Sequence, residues 1–168
     1  TIKIINENNF NNRTLFTEGN LTNWKIISES NNKNSNHNEK LTHYSLTGCL
    51  NFYNIEVIDI NLDIKDSHCE DAVNFVNTKG NITKVKIFNS KFDGMDIDFS
   101  ELEIDNATVY YSYNDCIDLS SGKYIINSVA LNTCEDKGIS AGEKTSLYIE
   151  NIKVENSKIG LAVKDSSN

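Results

Sequence analysis

Carboxylates recur at a fixed interval in this sequence, and that spacing is the first thing in it that could do chemistry. Asp71, Asp93 and Asp115 share one position of the interval; Asn74, Asp96, Asp118 and Ser140 share another, with Asp98 beside them. The interval is about 22 residues, the length of one coil of a β-solenoid. If coils stack, residues one interval apart come within about 5 Å of each other. Two ionised carboxylates that close repel, and one keeps its proton unless a cation lies between them. Three readings follow. Asp93, Asp96, Asp115 and Asp118 could ligate Ca2+, which takes about six to eight oxygens in flexible geometry. Asp96, Asp118 and Asp115 could act as general acid and base on a glycosidic bond, since retaining enzymes hold their carboxyls about 5–5.5 Å apart. The blandest reading is the expectation: outward-facing, solvated aspartates that satisfy local N–H groups and keep the surface soluble.

Other polar and aromatic residues fall on the same frame. Lys137 takes the aspartate position of the next coil, beside Asp136 and Glu135. A surface ion pair with Asp115 is expected there, worth under about 1 kcal/mol. Phe88 and Tyr110 share an outward position on adjacent coils, with Tyr111 and Tyr113 close by. Exposed rings of this kind pack against sugar faces or a protein partner, or cover the turn locally. His37, His43 and His68 lie off the ladders or at their edge, without a partner at useful spacing, so no chemical role is expected of them. The sequons at Asn12, Asn20, Asn81 and Asn106 are expected by chance in a chain this rich in Asn.

The elements that would position these residues are short strands. The segments around Val73, Met95, Ile117, Ile139 and Leu161 align, and Leu50 precedes them with a slightly longer step. Between them a second pattern repeats: Ile82, Val85 and Ile87, then Ile104, Ala107 and Val109, then Ile126, Val129 and Leu131, then Ile149, Ile152 and Val154. Small residues recur at the turn, at Ser90, Ser112, Cys134 and Ser157. Alternation at period 2 and the density of β-branched residues exclude helical repeats. One coil cannot bury its own apolar face, so stacking must close the core. The reading is an all-β, right-handed parallel β-helix, with about five to six coils over residues 46–168. Residues 1–45 break the frame and read as an N-terminal cap or irregular first coil around Trp24, with a mobile Asn/Ser-rich loop over Ser28–Lys40.

Composition narrows the rest. The chain has 168 residues, no proline and a formal net charge of −8, which disfavours nucleic acid or anionic lipid as a partner. No apolar run is long enough to span a membrane. Cys49, Cys69, Cys116 and Cys134 show no zinc-site spacing and read as stacked free thiols, with disulfides as the alternative. The chain begins at Thr1 without a signal-like leader, which reads as a processed product or an excised fragment. The last coil ends abruptly at Asn168, so the solenoid is expected to continue in a parent chain or to be capped by a partner.

The runs Cys69–Phe75, Asp93–Ser100 and Glu135–Glu143 resemble the parallel β-helix repeats of the pectate-lyase-like superfamily, closest to repeat segments of bacterial surface or secreted proteins. The resemblance covers roughly residues 46–168 and is specific for fold. It implies a link to carbohydrate and an extracellular or cell-surface location, by analogy of fold alone. The departures weigh against catalysis. Polygalacturonase-like enzymes of that superfamily carry Gly-His-Gly and Arg-x-Lys, and its lyases use a basic residue; this chain has neither motif, and Arg13 is its single arginine, off the coils. The expected function is a non-catalytic extracellular module for structure or for binding a polysaccharide or surface protein. The alternative is a polysaccharide-cleaving enzyme centred on the aspartate ladder.

Overall fold

The inward ladders decide the architecture. Val73, Met95, Ile117 and Ile139 are fully buried, one directly above another, and so are Ile82, Ile104 and Ile126 on the opposite wall. The structure, a computed structural model, describes residues 1–6, 13–30 and 45–168. His37, His43, the Asn12 sequon and most of the loop read over Ser28–Lys40 lie outside the described residues; Ser28–Ser30 end a strand.

In chain order the strands are β1 (Ile2–Asn6), β2 (Thr14–Thr17), β3 (Asn20–Thr22), β4 (Lys25–Ser30), β5 (Gly48–Tyr53), β6 (Glu56–Ser67) and β7 (Asp71–Val76). They continue as β8 (Lys79–Ser90), β9 (Asp93–Asp98), β10 (Glu101–Ser112), β11 (Ile117–Ser120), β12 (Lys123–Gly142) and β13 (Ser146–Val163). All pair in parallel in one 13-stranded sheet wound into a β-solenoid of about six turns. On one side stack β1, β4, the long strands β6, β8 and β10 and the first parts of β12 and β13; on the other stack the short strands β2, β5, β7, β9, β11 and the ends of β12 and β13. The described part of residues 1–45 joins these ladders, with Ile2 paired to Ile26 and Phe16 to Phe52. Phe16, Phe52 and Phe75 stack through the core with centroids 5.2 and 4.7 Å apart. Among the described residues no helix is long and apolar enough to cross a membrane.

Corners are made by residues in the left-handed region, recurring from turn to turn. Asn54, Asn77, Phe99 and Ser121 hold one corner, with φ between 48° and 52°, and in the next turn Glu143 and Lys144 share it, with φ 55° and 65°. Asp66, Asn89, Tyr111, Thr133 and Asn156 hold another, with φ between 54° and 62°. Asn and Asp tolerate this conformation because their short side chains bond locally, whereas bulky residues there are strained. The side chains also bond along the stack: Asn77 Nδ2 donates to Asn54 Oδ1 at 2.9 Å and Asn89 Nδ2 to Asp66 Oδ1 at 2.6 Å. The small turn residues act as caps. The Ser112 hydroxyl donates to the Asp115 carbonyl at 2.8 Å, and Ser90 makes the same bond to the Asp93 carbonyl.

The cysteines correct the sequence reading. They are not free thiols: Cys49 bonds Cys69 and Cys116 bonds Cys134, with Cα atoms 5.3 and 5.4 Å apart. Cys116 stacks on the Gly94 and Gly138 position at the start of a turn, and Cys134 replaces the capping serine at the turn's end. One full turn brings start and end together at one corner, a layer apart. Each disulfide therefore fastens one layer to the next.

Candidate functional site

The short strands set the acidic ladders in register: Asp71 opposite Asp93, Asn74 opposite Asp96, and Asp96 opposite Asp118, with Asp98 paired between Val76 and Ser120. Their environment departs from the solvated one expected. Asp71 and Asp115 are buried, and so are Asn74 and Ser140. Asp93 and Asp115 spend their carboxylates on the layer above. Asp93 Oδ1 accepts from the Asp115 backbone N–H and from Asn114 Nδ2, both at 2.7 Å. Asp115 Oδ1 accepts from the Lys137 backbone N–H at 2.9 Å. At this ladder position Asp93 and Asp115 thus cap the next layer, whereas Asp71 Oδ2 has no hydrogen-bond partner.

Lys137 does more than pair at the surface. Its ammonium lies 3.2 Å from Asp115 Oδ2 and also contacts Asp136 Oδ2. The Asp115 side chain is only 5% exposed, so the pair is largely desolvated on one side. Burial holds the Asp115 carboxyl above its usual range even so, while the bond to Lys137 holds that of Asp136 below it.

Asp96 partners Asp98 rather than Asp118. Burial, then the charges of Asp71, Asp98 and Asp118, push the Asp96 carboxyl up to about 9. Burial and Asp118 push Asp98 up to about 6, offset by hydrogen bonds from Asn74 and Asp96. The raised Asp96 carboxyl favours its protonated form, the one able to donate to Asp98. Asn74 Nδ2 donates to Asp96 Oδ2 at 2.9 Å. Asp71 is raised to about 8 chiefly by burial, and its buried Oδ2 has no hydrogen-bond partner. Among the described residues no three His, Cys, Asp or Glu side chains converge on a point suited to a metal ion. Of the four aspartates considered for Ca2+, Asp93 and Asp115 cap the next layer, Asp96 bonds Asp98, and Asp118 stacks on Asp96.

The aromatic residues gather at the corner between long and short strands. Phe88 lies directly under Tyr110 in the ladder, and Phe88 and Tyr111 meet edge to face at 5.4 Å. All are substantially exposed, Tyr113 most at 58%. Beside them an open groove of ≈ 650 Å³ is lined by Ser67, His68, Asn89, Lys91, Phe92 and Tyr113. Phe92 and His68 join the corner though the sequence did not single them out for it: Phe92 sits on a turn, where period-2 alternation gives no direction. Tyr111 occupies the left-handed corner position with φ 62°, strained for a bulky side chain that must point out beside its neighbours.

In comparisons with family models, curated proteins and solved structures, no family model, no curated protein and no solved structure matches this chain.

Proposed function

We propose that this chain is a non-catalytic, exported module that binds a glycan at the aromatic corner of its solenoid. The observation that carries the reading is the cluster Phe88, Phe92, Tyr110, Tyr111 and Tyr113, exposed on adjacent layers beside the ≈ 650 Å³ groove. Rings held rigidly on a β-scaffold offer flat apolar faces to pyranose rings at little entropic cost, and Asn89 and His68 supply polar groups at the same groove. A strained Tyr111 is the kind of local cost that functional surfaces carry. Export is supported by two disulfides, which persist in oxidising compartments. The pectate-lyase-like resemblance of the repeats leans toward carbohydrate as well.

A glycan array followed by calorimetry tests this. Binding without turnover is expected, weakened about five- to tenfold by Phe88→Ala or Tyr110→Ala, since one ring stack is worth about 1 kcal/mol. Binding indifferent to both substitutions, or release of reducing ends or unsaturated sugars, would overturn it.

A second reading rests on the Asp96–Asp98 pair. An acid that keeps its proton at neutral pH beside a carboxylate has the protonation needed for general acid catalysis on a glycosidic bond. If polysaccharide cleavage is found, Asp96→Asn abolishes it; full retention removes this reading.

A further inference from the structure

The outward face of β4, β6 and β8 gathers three lysines around one groove. On the adjoining face one ladder alternates sign layer by layer, Glu56 against Lys79, Lys79 against Glu101, Glu101 against Lys123. That alternation is the favourable arrangement for cross-strand neighbours. On β4, β6 and β8 the ladder runs Lys25, Asn61, Lys84, and the next outward position runs Ile27, Asp63, Lys86. Lys84 and Lys86 stand two residues apart on one face, about 7 Å, and Lys25 lies two layers off, about 10 Å. A groove of ≈ 230 Å³ opens between them, lined by Lys25, Asn61, Leu62, Asp63, Lys84 and Lys86.

None of the three ammonium groups pairs with Asp63 or with any other described carboxylate. Asp63 Oδ1 is itself buried without a hydrogen-bond partner. Three ammonium groups against one carboxylate leave a local excess of two positive charges in a chain of net charge −8. Such crowding is unfavourable in the free protein and becomes favourable when an anion sits in the groove. The flexible stems of Lys25, Lys84 and Lys86 let their N–H donors converge on oxygens above Asn61, whose amide adds another donor.

We propose that the groove between Lys25, Lys84 and Lys86 binds a tetrahedral oxyanion, sulfate or phosphate, either free or carried as an ester on a larger molecule. The site lies away from the aromatic corner and goes beyond the glycan reading. Amide shifts in NMR, followed on the full chain at low ionic strength while inorganic sulfate or phosphate is added over chloride, test it. Saturable shifts at Asn61, Asp63, Lys84 and Lys86 are expected, with affinity on the order of millimolar and falling as salt rises. The double variant Lys84→Gln, Lys86→Gln weakens binding about tenfold or more, whereas Lys123→Gln on the adjoining face leaves it unchanged. Phe88→Ala and Tyr110→Ala also leave it unchanged, so failure here and failure of the glycan reading are separately visible. A sulfated polysaccharide set against its desulfated form distinguishes an ester-borne anion from the free ion. Absence of saturable shifts, or equal affinity in the Lys84→Gln, Lys86→Gln variant, would overturn the proposal.

Discussion

The Lys137 ammonium lies 3.2 Å from Oδ2 of Asp115, joining residues one full turn apart across a boundary between layers. Asp115 is almost wholly buried, so the ion pair and the Lys137 backbone N–H together compensate a carboxylate that water cannot reach. Lys137→Ala removes one of these partners and leaves the other. We expect a loss of roughly 2–4 kcal/mol, read as a lower midpoint in urea unfolding. A change within about 0.5 kcal/mol would mean that the pair behaves as an ordinary surface bridge.

Stability should fall as pH rises. Unfolded aspartates titrate near 3.8, whereas in the folded chain Asp93 and Asp98 titrate at about 6, Asp71 at about 8 and Asp96 at about 9. Between those limits the native state holds more protons than the unfolded one, so the contribution present in full below 3.8 is lost progressively up to about 9. The Tm measured across this range should decline toward alkaline pH. Asp96→Asn, which mimics the protonated group, should flatten the decline above neutrality; an unchanged profile in that variant would refute the assignment.

Reduction should cost stability without rearranging the stack. Each disulfide closes a loop, of 20 residues for Cys49–Cys69 and 18 for Cys116–Cys134. Loop-closure entropy puts each at about 3 kcal/mol. Alkylation of the denatured, unreduced chain should label no cysteine. Replacing Cys116 and Cys134 by Ser should lower Tm while far-UV circular dichroism keeps its β-signature.

Tyr111→Asn should separate stability from binding. Asn fits the left-handed corner that Tyr111 holds at φ 62°, so Tm should rise, with a gain of up to about 1 kcal/mol. The same change removes a ring from the exposed cluster and should weaken glycan binding. A drop in Tm would show that the Tyr111 ring, packed edge to face on Phe88, stabilises the corner more than its backbone strains it.

The stacking of Asp96 on Asp118, of Phe88 on Tyr110 and of Ile82 on Ile104 was legible as a 22-residue step, and the structure places each pair in register. The chemistry of those positions was less legible. Asp93 and Asp115 look identical to free ladder ligands in sequence, because backbone N–H groups leave no mark in a residue pattern. Gly122 shows the same limit. It stands where Ser100 lies one turn earlier, and a Cβ there would meet the Ser100 carbonyl at 2.3 Å. Tyr124 fills that space instead, donating from its hydroxyl to the Ser120 carbonyl at 2.8 Å.

The sequence by itself determined the all-β, stacked architecture and the positions that become neighbours, because period and alternation are properties of the chain read along its length. Only the tertiary structure decided that Cys116 meets Cys134, that Asp96 is buried against Asp98, and that three lysines crowd one groove while a ladder on the adjoining face alternates in sign. Those outcomes depend on how the corners turn and on how deeply each group is removed from water. Corner geometry and desolvation come from the assembled layers, and no single coil contains them.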